Sequence, residues 1–119
     1  MTLNGQNGTP PLAQTQSING TPIRITHQQW AHITENHDYM AGCLDMVIET
    51  VSDPDLIANG WTDEKIALRH YPKTPITEKN TVIVYKETSP QDGFVITAFL
   101  TSKPQKITQR GIQWQRPQS

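Results

Sequence analysis

Residues 94–101 read Phe94-Val95-Ile96-Thr97-Ala98-Phe99-Leu100-Thr101, and the period of this stretch decides the fold. β-Branched and aromatic side chains dominate it, and successive side chains of an extended chain point to opposite faces. One row, Phe94, Ile96, Ala98 and Leu100, is wholly apolar and suits a covered face. The other row, Val95, Thr97, Phe99 and Thr101, carries two hydroxyls and suits an open one. Upstream, Thr81-Val82-Ile83-Val84-Tyr85-Lys86 and Lys65-Ile66-Ala67-Leu68-Arg69-His70-Tyr71 repeat the pattern. Turn chemistry separates the three segments at Pro72 to Pro75 and at Ser89-Pro90-Gln91-Asp92-Gly93. Such short polar links favour antiparallel pairing of consecutive strands.

Towards the N-terminus the period lengthens. Met40, Leu44, Val47, Ile48 and Val51 fall on one helical face, and Asp53-Pro54-Asp55 stops that helix because the residue before proline is pushed out of the helical region. Ahead of it Thr26-His27-Gln28-Gln29 has the form of a capping box, so a short helix is expected over 27–36, with Trp30, Ile33 and His37 on one face. The spacing therefore predicts an α+β fold: two N-terminal helices packed on a three- to four-stranded antiparallel sheet, with one sheet face open. Residues 1–17 hold only Leu3, Leu12 and Ala13 to bury and read as a disordered arm. The domain is expected over 18–114. Residues 115–119 read as a flexible tail, and Ile107, Ile112 and Trp114 are the side chains by which the C-terminal stretch would dock.

Composition excludes several classes. The chain has 119 residues, a length that suits one core. No apolar run approaches the roughly 18–20 residues of a membrane crossing. A single cysteine, Cys43, cannot form an internal disulfide, and one cysteine with four scattered histidines does not build a zinc cage, so neither metal nor cofactor is expected. The absence of a basic residue before Arg24 and of an apolar leader gives a cytoplasmic setting as the expectation. Charge is uneven along the chain. From Ile25 to Glu64 there are eight acids and no Lys or Arg, whereas from Lys65 onward nine bases meet three acids. A basic sheet half beside an acidic helical half can guide a polyanion to the sheet; the same asymmetry also suits two halves that simply attract each other.

Alternation in the first of the three strands sets Ile66, Leu68 and His70 against Ala67, Arg69 and Tyr71, and the second set is expected on the open face with Thr97 and Thr101. Arg69, Tyr71 and the two threonines, with His32 or His37 brought in from the first helix, would supply an acid, a base and phosphate-binding donors. That set suits RNA cleavage by the strand's own 2′-hydroxyl: one imidazole moves the proton, a second group protonates the leaving oxygen, and guanidinium stabilises the phosphorane. Plainer roles stand beside these. His37 shares the Trp30 and Ile33 face and suits a helix-capping core histidine; His32 suits a surface residue; Arg69 suits an ion pair with Glu87 or Glu78. Trp61 and Trp114 read as packing anchors. The rival functional reading is a non-enzymatic module that offers its open sheet or an edge strand to a protein partner or inhibitor.

The segments Trp30-x-His32-Ile33-x-x-x-His37, Pro54-Asp55, Thr97-Ala98-Phe99-x-Thr101 and Gly111-x-x-Trp114 resemble a small bacterial family with the pattern W-x-H-I-x-x-x-H-P-E, P-D, T-A-[YF]-x-T and G-x-x-W. That family in turn resembles the barnase, EndoU, colicin and RelE group of ribonucleases, the BECR fold, in its phage-associated and toxin-like members. The resemblance implies helices against an antiparallel sheet and a hydrolase-type, metal-independent endoribonuclease acting on RNA. Residue by residue it matches His32 and His37 to the two motif histidines and Thr97 and Thr101 to the two threonines of the strand, and Arg69 sits where a basic residue is common. With the alternation, His32, His37, Arg69 and Thr97 are the expected catalytic residues and Tyr71, Thr101 and Lys103 the expected substrate-binding ones. Where the family has Pro and Glu after its second histidine this chain has Asp38 and Tyr39, and Asn36 stands where a basic residue is usual.

Overall fold

The computed structural model describes residues 9–117. In chain order its elements are β1 (Ala13–Gln16), β2 (Pro22–Ile25), α1 (His27–Asn36), a 3-10 turn (Asp38–Gly42), α2 (Leu44–Ser52), β3 (Leu56–Asn59), β4 (Lys65–Tyr71), β5 (Lys79–Ser89), β6 (Asp92–Thr101), α3 (Gln105–Thr108) and β7 (Ile112–Gln115). The strands form one seven-stranded sheet in the order β1-β2-β6-β5-β4-β3-β7. All neighbours are antiparallel except β2 and β6, which run parallel through Ile23/Gly93 and Arg24/Phe94.

This corrects the expectation of two N-terminal helices on a three- to four-stranded antiparallel sheet: the sheet is larger and mixed, and a third helix follows it. The four additional strands are four residues long and three of them are polar or mixed in pattern. What recruits them is the ladder itself, since an unpaired sheet edge leaves backbone donors and acceptors open. The expected disordered arm is corrected over Ala13–Gln16, which pairs with β2 and is further tied by Thr15 Oγ1 donating to the Ile48 carbonyl at 3.3 Å. Residues 1–8, the first part of that arm, and residues 118–119 of the expected tail lie outside the described residues.

Local chemistry sets the boundaries. Thr26 caps α1, its hydroxyl accepting from Gln29 N at 3.0 Å. The expected second helix divides into the 3-10 turn and α2, with Cys43 at the junction. Gly93 is required where β2 meets β6, because a Cβ there would lie 2.5 Å from Ile23 Cδ1 and 2.6 Å from the Lys86 carbonyl oxygen.

Two apolar layers hold the sheet. On the helix face Ile23, Ile25, Ala67, Ile83, Tyr85, Val95, Ala98 and Leu100 pack under Ile33, Met40, Val47 and Val51. On the second face Ala58, Ile66, Leu68, Val82 and Val84 are buried beneath Leu56, Ile96, Phe99 and Ile107 of α3. The centre of that second face is therefore covered, not open. The chain leaves β6, places α3 on the sheet and pairs β7 with β3 at the far edge, Trp114 opposite Ile57.

Candidate active site on the second sheet face

β6 carries a register shift opposite Val84/Tyr85: Thr97 faces Val84 while Val95 faces Tyr85, so Ile96 is the extra residue of a bulge. Beyond the bulge the alternation is regular. Ala98 and Leu100 enter the helix-side core, and Thr97, Phe99 and Thr101 project from the second face. Directly opposed residues of an antiparallel pair share a face, their Cβ atoms about 4.5–5.5 Å apart. Three rows follow from the register: Ile66, Val84 and Thr97; Leu68, Val82 and Phe99; His70, Asn80 and Thr101.

β2 accompanies β6 only at its start, and α1 runs along the edge that β2 leaves free. Gln29 Nε2 donates to the Ile96 carbonyl, and Leu100 N donates to Tyr39 Oη at 3.4 Å. This carries His37 to the sheet margin. Its backbone is fixed on both sides, N–H to the Ile33 carbonyl at 2.8 Å and its carbonyl accepting from Met40 N at 2.9 Å. The half-buried His37 ring lies 5.7 Å from Phe99 and 5.7 Å from Tyr39, centroid to centroid, and Nδ1 is 3.2 Å from Tyr39 Oη. Tyr39 Oη has two lone pairs, so beside the bond from Leu100 N it can accept one from Nδ1–H. In that tautomer the neutral imidazole keeps its Nε2 lone pair for an incoming proton.

His37 thus lies beside Phe99, and Thr97 and Thr101 stand two residues to either side of Phe99 on the same strand face. Lys103 follows directly, its N–H donating to Thr101 Oγ1 at 3.1 Å, which leaves the Thr101 proton for another acceptor. His32 lies three residues after Gln29, a turn further along the same side of α1, in solvent and 3.9 Å from Glu35 Oε1.

Arg69 and Tyr71 do not join them, which corrects the expectation that both lie on the open face. They alternate with Leu68 and His70 and leave the helix face beside Ala67. Arg69 Nη1 donates to the Asp53 carbonyl at 2.6 Å and to Asp53 Oδ2 at 3.1 Å, and Nε lies 3.5 Å from Glu49 Oε1. Its role there is to satisfy the carbonyl end of α2, where a cation complements the helix dipole. Tyr71 donates its hydroxyl to the Glu49 carboxylate. Burial, then that bond, pushes the Tyr71 phenol up to about 12.

In their place stand residues that the sequence did not single out for this face. His70 lies in register with Asn80 and Thr101, its Nε2 2.9 Å from Glu78 Oε2. Phe99 and Tyr39 position His37. The signal for His70 was present in the alternation with Arg69, once the face is known. Among the described residues, no group of three or more His, Cys, Asp or Glu side chains is placed to hold a metal ion.

The sequence model of a family described as phage-Barnase-EndoU-ColicinE5/D-RelE like nuclease2 matches residues 3–116, nearly the whole chain. No curated protein and no solved structure matches it. The extent of the family match decides the assignment: the chain belongs to the phage-Barnase-EndoU-ColicinE5/D-RelE like nuclease2 family, and its function is nuclease-like in kind.

Proposed function

We propose that the chain is a metal-independent endoribonuclease whose chemistry is centred on His37 at the β6 margin. The observation that supports this reading is the approach of His37 to Phe99, on the strand face that Phe99 shares with Thr97 and Thr101. An RNA strand laid along β6 presents one phosphate to the Thr97 hydroxyl and a later one to the Thr101 hydroxyl and the Lys103 ammonium. The ribose 2′-hydroxyl attacks phosphorus and gives its proton to one imidazole; the P–O5′ bond breaks, and the departing oxygen takes a proton from a second donor. The products are a 2′,3′-cyclic phosphate and a 5′-hydroxyl, so atoms and charge balance without an external co-reactant. His37 is the first proton carrier, its Nδ1 oriented by Tyr39. His32, one turn back on the same helix, is the second imidazole.

Arg69 is given no part in the chemistry, because its guanidinium is engaged at the end of α2. Cleavage of single-stranded RNA in excess EDTA tests the reading. The wild-type chain is expected to cut, and His37→Gln to lose about 10²–10⁴ of the rate, the usual worth of a general acid or base. Equal rates for the two proteins reject it.

A further inference from the structure

Trp61 is 68% exposed, more than any other large apolar side chain among the described residues. The expectation that it anchors packing is overturned by that exposure. One side of its ring is occupied by Arg110, whose guanidinium carbon lies 4.6 Å from the ring centroid. Both residues are held in place. Arg110 Nε donates to the Asn59 carbonyl at 3.2 Å, and Asn59 Nδ2 returns a bond to the Arg110 carbonyl at 3.2 Å. The Trp61 turn is closed by Gly60 N donating to the Glu64 carbonyl at 2.9 Å and by Thr62 N donating to Glu64 Oε1 at 2.8 Å. The Thr62 N–H, then Glu64's own N–H, lowers the Glu64 carboxyl below its ordinary value. The indole is thus presented to solvent from a fixed turn.

Its location suggests a use. Asp63 in the same turn pairs with Lys86 at 3.4 Å, and Lys86 follows Tyr85 onto the second face. Arg110 closes the segment that carries Ile107 across that face. From Ser102 onward the chain has Lys103, Lys106, Arg110 and Arg116 and no acid. Among the described residues Lys103, Lys106 and Arg110 make no ion pair, so three cations without an acidic partner follow Thr101 in the chain, the last of them against Trp61.

We propose that Trp61 and Arg110 form a base-stacking platform for single-stranded RNA, remote from the cleavage point on the same face. The inference rests on the endoribonuclease reading and adds the substrate's form to it. A base stacks on the free side of the indole, and Arg110 supports the other side and draws the adjoining phosphate. Duplex RNA keeps its bases stacked within the helix and is not held this way. The occupant is RNA and not an apolar protein surface because cations border the indole and the neighbouring exposed apolar residues are few.

The test is the affinity of the full chain for a fluorescein-labelled 2′-O-methyl RNA oligomer, which lacks the attacking hydroxyl, measured by anisotropy at fixed salt. Trp61→Ala is expected to weaken binding at least about fivefold and Trp61→Phe to restore most of it, as loss and return of one stacked base would. Arg110→Ala should also weaken binding and lower the salt dependence by about one phosphate contact. Unlabelled single strand should compete better than duplex of the same sequence. Wild-type affinity in folded Trp61→Ala, or equal competition by duplex, overturns the platform and leaves the nuclease reading standing. No binding and no RNA cleavage by the wild-type chain overturns both.

Discussion

The ring of His37 stands 5.7 Å from that of Phe99, tilted by 34°, although the two residues lie on elements at opposite ends of the chain's folded core. The contact exists because α1 runs along the edge of β6 that short β2 leaves free. It places a titratable group at the margin of the face that carries Phe99 between Thr97 and Thr101. If Phe99 positions the imidazole, Phe99→Ala lowers kcat by roughly tenfold or more while the chain stays folded. Phe99→Tyr, which keeps the ring, retains most of the rate. Steady-state cleavage of a short RNA, with circular dichroism as the control for folding, distinguishes positioning from loss of structure.

Arg69 is expected to behave as a structural residue. Arg69→Met removes the bonds to Asp53 and the ion pair with Glu49 and costs about 1–3 kcal/mol of unfolding free energy. Cleavage per folded molecule remains near wild type. Urea denaturation paired with activity measured well below the transition checks both parts, and a large fall in activity at unchanged stability contradicts this role.

Beneath Arg69 lies a buried hydroxyl relay. Thr81 Oγ1 donates to the Arg69 carbonyl at 3.1 Å and lies 2.6 Å from Thr50 Oγ1, so Thr50 supplies the proton of the second bond. Thr81→Val leaves the fully buried Thr50 hydroxyl unpaired and is expected to cost about 1–3 kcal/mol. The double variant Thr50→Val/Thr81→Val costs less than the sum of the single ones. A double-mutant cycle by chemical denaturation measures the difference, and strict additivity rejects the relay.

Tyr71 provides a pH signature. Its phenol is raised to about 12 by burial first and by the Glu49 bond second. A raised acid is stabilising in its neutral form: that contribution is whole below the ordinary value of about 10 and is lost as pH rises through about 12. Glu49→Gln removes part of the cause, so the Tyr71 midpoint moves down. The difference in phenolate absorbance between each protein and its Tyr71→Phe counterpart reads this midpoint, and an unmoved or raised midpoint contradicts the assignment.

The parallel pairing of β2 and β6 depends on Gly93. Gly93→Ala drives a methyl group towards Ile23 and the Lys86 carbonyl and is expected to cost about 1–3 kcal/mol. Amide exchange should accelerate in β1 and β2 ahead of β4 and β5. Uniform protection across the sheet would show that β2 does not depend on this approach.

Much of the sheet and the start of α1 are legible in the sequence, because 65–71, 81–86 and 94–101 have a period of two and Thr26 precedes a helical pattern. The assignment of faces is not legible, and the cause is physical. Ile66 and Leu68 pack beneath α3, while Ala67 between them packs beneath the helices. With both faces buried, apolar alternation says which residues share a face but not which face meets α1 and α2. Arg69 and Tyr71 were assigned by that pattern and fall on the helix side. The bulge at Ile96 breaks alternation at one residue, and nothing in Val95-Ile96-Thr97 announces it. Strands β1 and β7 are held by backbone pairing more than by side chains, so hydropathy passes over them, while β2 buries only Ile23 and Ile25, too few for a pattern. His37 at the sheet margin depends on how far β2 extends along β6, a tertiary fact that no local spacing contains.

Cleavage chemistry at the β6 margin is tested most directly by the ends of the RNA fragments. Incubated with single-stranded RNA in excess EDTA, the chain is expected to leave 2′,3′-cyclic phosphates and 5′-hydroxyls, and a single 2′-deoxy substitution at the cut site should abolish that cut. Fragments ending in 3′-hydroxyl and 5′-phosphate, or cleavage that appears only when a divalent metal is restored, would contradict the account.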